Sequence, residues 1–216
     1  MNDMPNWCST TFTFHGNKEE ITKLHDKIEQ WLCTKYTDTD FGNSWLGNIL
    51  YGAGLQDRID DPDPSKKLRC RGTVTDYSDP FRCNNDYQLN VWTETAWIPM
   101  GKMWSEVINV LELKTVGFSF VAEECGCELY WIYDPKNYGD YNGEEVYLDA
   151  WSDNDDSINS LRSGYYTEEA AIELLQRELS PNINNYEQAC QICENYNDNE
   201  HHIALHRFEY IDELTD

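Results

Sequence analysis

The clearest pattern of apolar and polar positions lies between Thr93 and Tyr133. Met100, Met103, Trp104, Val107, Ile108 and Leu111 recur at helical spacing, which paints one apolar stripe along a helix. Pro99 suits the first turn of that helix, where its missing N–H is not needed. A strand is expected to end at Thr95-Ala96-Trp97, just before it. Beyond the helix, Val116, Phe118, Phe120 and Ala122 alternate with Gly117, Ser119, Val121 and Glu123, the period of a half-buried strand running to Glu124. This strand–helix–strand pattern defines a fold more than a reaction.

Alternation also marks residues 5–14, where Cys8, Thr10, Phe12 and Phe14 share one face. Asn17 followed by Glu20 resembles a capping box, and Ile21, Leu24, Ile28, Trp31 and Leu32 give the next helix its inward stripe. Residues 36–67, rich in Gly, Asp and Pro, are expected as an inserted loop with one helical turn near Trp45–Leu50 pinned to the core. Leu68–Tyr77 and Tyr87–Trp97 alternate again and pair as antiparallel partners. The order to Glu124 is βαββαβ, the split pattern of a ferredoxin-like sandwich. The expected fold is therefore α+β, with a ferredoxin-like core over residues 1–151. Strands at 128–133 and 145–151 extend its sheet or form a hairpin beside it. Residues 152–216 are expected as an acidic helical extension packed on the core, with helices at about 167–179 and 185–197 and a final strand from His202 to Ile211.

Composition changes the picture mainly through charge. The 216 residues (25.3 kDa) are 40% hydrophobic and 13% aromatic, enough for one substantial core despite a mean hydropathy of −0.72. Forty acids face sixteen bases, net −24, and residues 1–111 carry net −5 against net −19 for residues 112–216. Such a field repels nucleic-acid phosphates and anionic membranes and attracts basic protein surfaces. The expected partner is a protein with a basic, nucleic-acid-binding surface, met by acids such as Asp153, Asp155 and Asp156; direct nucleic-acid and membrane binding are not expected. The plain alternative is solubility. No run approaches the roughly 20 apolar residues that span a bilayer, and Met1–Pro5 lacks the marks of a signal peptide, so a cytoplasmic location is expected. In that compartment the eight cysteines read as free thiols or metal ligands rather than disulfides.

Four motifs then occur in order: Pro5-Asn6-Trp7-Cys8, Cys70-Arg71-Gly72, Thr93-Glu94-Thr95-Ala96-Trp97 and Ala122-Glu123-Glu124. Together they resemble the YubB-type ferredoxin-like domain family of phages, plasmids and gut-bacterial mobile elements, over roughly residues 4–151. The resemblance implies a ferredoxin-like fold and a mobile-element setting. That family is functionally uncharacterised, so it lends this chain no catalytic residue.

Arg71, Glu94, Glu123 and Glu124 end or face outward on neighbouring strands of the proposed sheet, framed by Trp92 and Trp97, and form the candidate binding site. Paired carboxylates hold Mg²⁺ or act as general acid and base. A small-ligand-binding or metal-assisted hydrolytic domain using Glu94, Glu123 and Glu124 is therefore the alternative function. The same residues serve structurally as a cross-strand Arg–Glu network. With no nucleophile beside a base, no Gly-rich phosphate loop and no His-x-Glu signature, binding is favoured over catalysis and no cofactor is expected. Cys190 and Cys193, with Cys125 and Cys127, have the residues of a Cys₄ zinc site. Against it, Cys190 and Cys193 share an apolar helix face with Tyr186 and Ala189, where cysteine acts as a small buried hydrophobe, and no metal is expected. The many tryptophans suggest base stacking, but no basic groove is visible to accompany them. The leading expectation is a non-enzymatic acidic accessory protein of a phage or mobile element. It would bind a host or rival protein as a nucleic-acid mimic or defence inhibitor.

Overall fold

The computed structural model describes residues 6–36, 42–124, 126, 128–138, 141, 145–153, 156–198 and 200–214. The fold is α+β and divides into two compact units, Met1–Tyr138 with Tyr210–Asp216, and Gly139–Glu209. Among the described residues no helix is long and apolar enough to cross a membrane.

The first unit holds β1 (Trp7–Gly16), α1 (Lys18–Cys33), α2 (Leu46–Gly52), β2 (Gly72–Tyr77), β3 (Phe81–Cys83), β4 (Asp86–Ala96), α3 (Gly101–Val110), β5 (Gly117–Glu124) and β6 (Leu129–Tyr133). Its sheet runs β6-β5-β1-β4-β2, with β3 pairing β4 and the short strand Glu209–Tyr210 at the β6 edge. The registered pairs are antiparallel. Period-two alternation sends Phe12 and Phe14 of β1, Leu89 and Val91 of β4, and Phe118 and Phe120 of β5 into one core. There they meet Ile21, Leu24 and Ile28 of α1 and Met103, Trp104 and Val107 of α3. The six apolar positions of the α3 stripe thus do what their spacing predicts.

Three local details differ from the expected pattern. The capping box of α1 is relayed. The Asn17 side chain accepts the Glu20 N–H at 2.9 Å, but the Glu20 carboxylate accepts the Thr115 N–H and hydroxyl at 2.7 and 2.8 Å, and Thr115 Oγ1 accepts the Asn17 N–H at 3.1 Å. The Thr115 backbone bond, then its hydroxyl, hold the Glu20 carboxyl below its ordinary range. Secondly, α3 opens at Gly101 rather than at Pro99, because Met100 stands at φ −99, ψ 55, outside the helical region. Thirdly, β2 opens at Gly72 rather than Leu68. A Cβ on Gly72 would lie 2.4 Å from Glu94 O, so only glycine lets the backbones approach there.

The second unit holds β7 (Val146–Ser152), α4 (Asp156–Ser160), β8 (Gly164–Tyr166), α5 (Glu168–Glu178), α6 (Tyr186–Tyr196) and β9 (His201–Arg207). The order β8-β7-β9 makes a three-stranded sheet. Val146, Leu148, Ile203 and Leu205 of that sheet pack with Ala171 and Leu175 of α5 and Ala189 and Cys193 of α6. The unit boundary therefore precedes β7 instead of following it at residue 151. Residues 146–152 pair with β9 over seven positions, which an extension of the first sheet would not permit. Thr167 and Asn185 cap α5 and α6 as their types predict. The short α4 and β8 carry too few apolar positions to show a period.

Candidate functional site

The face of the first sheet opposite Phe12 and Phe14 is read directly from its register. Glu94 stands opposite Ser9, and Ser9 opposite Glu123, with Thr73 and Tyr130 at the ends of that row. Trp92 lies in the next row with Thr11 and Val121. Glu94 and Glu123 thus share a face, separated by two strand spacings, roughly 10 Å. Glu124 points to the opposite face, as adjacent strand residues must. It is buried at 3% exposure, and its Oε1 accepts the Gly126 N–H at 2.9 Å. The three glutamates do not converge, and among the described residues no group of three His, Cys, Asp or Glu is placed to hold a metal ion.

Arg71 is placed differently from the expected Arg–Glu network. Its guanidinium lies over the Trp97 ring, 5.2 Å from the centroid, a cation–π contact. Trp97 occupies the left-handed region at φ 69, a costly place for a bulky residue. It is held there by its N–H, donated to Asn6 O at 2.9 Å, and by the Thr95 hydroxyl, donated to Ile98 O at 2.7 Å. The indole is left 42% exposed.

Beside this pair the structure forms a groove of about 410 Å³, lined by Ile59, Asp60, Lys67, Leu68, Arg69, Cys70, Arg71, Ala96, Trp97 and Met100. Residues 67–71 precede β2, and their exposure alternates: Leu68 and Cys70 are buried while Lys67, Arg69 and Arg71 stand outward. Outward cations two residues apart in extended chain are spaced by roughly 7 Å. Lys66 pairs with Asp63 and Arg58 with Glu106. Lys67, Arg69 and Arg71 have no carboxylate partner among the described residues. Of the sequence-derived site, then, the structure unites Arg71 and Trp97, leaves Trp92, Glu94 and Glu123 on the neighbouring face, and removes Glu124. Lys67 and Arg69 are new. Their signal was present in Lys66-Lys67-Leu68-Arg69-Cys70-Arg71, which puts four of the sixteen bases into six positions without an acid, but net charge obscured it.

Burial pushes the Cys70 thiol on the groove floor up to about 12, with the Asp60 carboxylate adding to the effect, which favours the protonated sulfur at neutral pH. Cys193 is likewise pushed to about 12 by burial, and Cys190 upward; Cys125 and Cys127 lie outside the described residues. So does Asp155. Asp153 is exposed and its N–H donates to Glu200 O at 3.1 Å, while Asp156 opens α4. No protein-family model matches the chain, and neither a curated protein nor a solved structure does.

Proposed function

We propose that the chain is a non-enzymatic binding protein whose first unit, a ferredoxin-like domain of the YubB type, takes an anionic group into the Arg71–Trp97 groove. The fold part is supported by the strand order β5-β1-β4-β2, the order in which a βαββαβ chain forms one antiparallel sheet. The function rests on one observation: Lys67, Arg69 and Arg71 line one groove with a single carboxylate, Asp60, and none of the three forms an ion pair among the described residues, in a protein of forty acids and sixteen bases. Adjacent like charges contribute nothing to folding by themselves. A bound anion converts them into charge-assisted hydrogen bonds. The net charge of −24 does not cancel their local field, because at physiological ionic strength exposed charges act over only about 8 Å.

Inorganic pyrophosphate is the simplest probe. Titration calorimetry is expected to show saturable binding that weakens at least tenfold in Arg69→Glu. Absence of binding, or equal binding by the variant, sinks the reading.

A second reading concerns the other unit. Residues 139–209 carry sixteen acids against three bases, and two of those bases are neutralised, Arg207 by Glu168 and Arg177 by Glu178, each at 2.6 Å. That surface suits the basic, nucleic-acid-binding face of a host or rival protein, the role of an accessory protein of a mobile element. A partner captured from host extract at 0.1 M salt is expected to be released at 1 M, where screening shortens the reach of charge from about 10 to about 3 Å. DNA should displace it, and Asp153→Lys with Asp155→Lys and Asp156→Lys should slow its association. Retention at 1 M salt, or indifference to DNA, rules this role out.

A further inference from the structure

Resting on the anion-site reading, we propose that the groove's ligand is a nucleoside monophosphate, bound as a single nucleotide rather than as part of a strand. The first argument is charge. Lys67, Arg69 and Arg71 against Asp60 leave the groove at +2. A phosphate monoester carries about −1.5 to −2 at neutral pH, whereas a carboxylate supplies only one charge. The second is surface. Besides its cations the groove is lined by the half-buried Ile59 and the exposed Trp97, apolar surface that inorganic phosphate would leave unused. The exposed indole of Trp97, with Arg71 already lying 5.2 Å from its centroid, is a stacking platform that accepts any base through its π-face.

Asp60 adds a third argument. A carboxylate at the rim repels phosphate and accepts hydrogen bonds, so it suits a ligand that carries hydroxyl or amino donors beside its phosphate. Ribose and base edge provide these; a bare aryl phosphate does not. A groove of about 410 Å³ falls within the roughly 300–1,000 Å³ common to small-ligand sites. The platform is also built before the ligand arrives, since the Asn6 and Thr95 hydrogen bonds hold Trp97 in its left-handed conformation, and such preorganisation favours affinity. A longer strand gains little here. Its further phosphates would lie beyond Lys67, Arg69 and Arg71, whose charge one phosphate monoester already matches.

The test is calorimetry on the full chain with adenosine 5′-monophosphate, inorganic phosphate, pyrophosphate, adenosine, phenyl phosphate and a ribohexanucleotide. The monophosphate is expected to bind with a dissociation constant on the order of 10–100 µM, at least tenfold tighter than inorganic phosphate or adenosine. Trp97→Gly, which the left-handed backbone accepts, should reduce it to the affinity of inorganic phosphate, while Arg69→Glu should weaken both; thermal melts matching the native chain establish that the variants fold. If inorganic phosphate binds as tightly as the nucleotide, the base plays no part and this inference falls while the anion site stands. Equal affinity for phenyl phosphate replaces the nucleotide with an aryl phosphate, and tighter binding of the hexanucleotide replaces it with a strand. Should every anion fail, including pyrophosphate, both readings fall.

Discussion

Trp104→Ala lowers the stability of the first unit by about 3–5 kcal/mol, the cost of emptying a large aromatic from a packed core. Trp104 is fully buried, with its ring centroid 5.3 Å from that of Phe14 and 6.0 Å from that of Phe12. No neighbour offers easy collapse, because Phe12 and Phe14 are themselves fixed between β4 and β5. The indole N–H has no hydrogen-bond partner among the described residues, so Trp104→Phe removes a buried donor that is already unsatisfied. That variant is expected to lose less than about 1.5 kcal/mol. Denaturant melts of the two variants decide it; an alanine variant within about 1 kcal/mol of the native chain would mean the core is not organised on this residue.

Alkaline solution should destabilise the first unit steeply. Burial pushes the Cys8 thiol from 9.0 to about 11 and the Cys70 thiol from 9.0 to about 12. Both folded values are raised, so their contribution is fully present below pH 9 and is lost as pH rises towards 11 and 12. Above pH 9 the unfolded chain releases two protons that the folded chain retains, and each costs about 1.4 kcal/mol per pH unit. Between pH 9 and 11 the two thiols remove roughly 4 kcal/mol. The measurement is stability against pH in the native chain and in Cys8→Ala with Cys70→Ala; an equal fall in the double variant would exonerate the thiols. In the second unit Cys193 follows the same sign, and its modification by thiol reagents should be slow until the unit unfolds.

The period of the apolar residues made most of the first unit legible. α1, α3, β1 and β5 each carry an uninterrupted stripe, and their pairing follows from where those stripes must be buried. The second sheet was not legible for a specific reason. β7 alternates Val146, Leu148 and Ala150 as well as any strand of the first unit, but periodicity says which face a strand buries and nothing about which sheet receives it. The candidate site was half visible. Arg71 and Trp97 lie close because β4 and the segment before β2 meet at Ala96 and Arg71, whose N–H and C=O bond at 2.9 Å. Glu124 looked equivalent to Glu123 by adjacency, yet adjacency in a strand means opposite faces. Lys67 and Arg69 were hidden because a net charge averages over the chain, whereas a groove is local.

The short strand Glu209–Tyr210 returns to the edge of β6, where the Ile211 N–H donates to Ile132 O at 2.9 Å. Leu214 then reaches Gly101, where a Cβ would stand 2.7 Å from its Cδ2. The first unit is thus completed by residues that are synthesised after the whole of the second, Gly139–Glu209. At about 5–20 residues per second on a ribosome, that gap lasts on the order of ten seconds. Throughout it β6 offers unpaired N–H and C=O groups to any passing strand. A nascent chain stalled inside the second unit would carry a nearly finished first sheet with one open edge, and aggregation from truncated products should begin there.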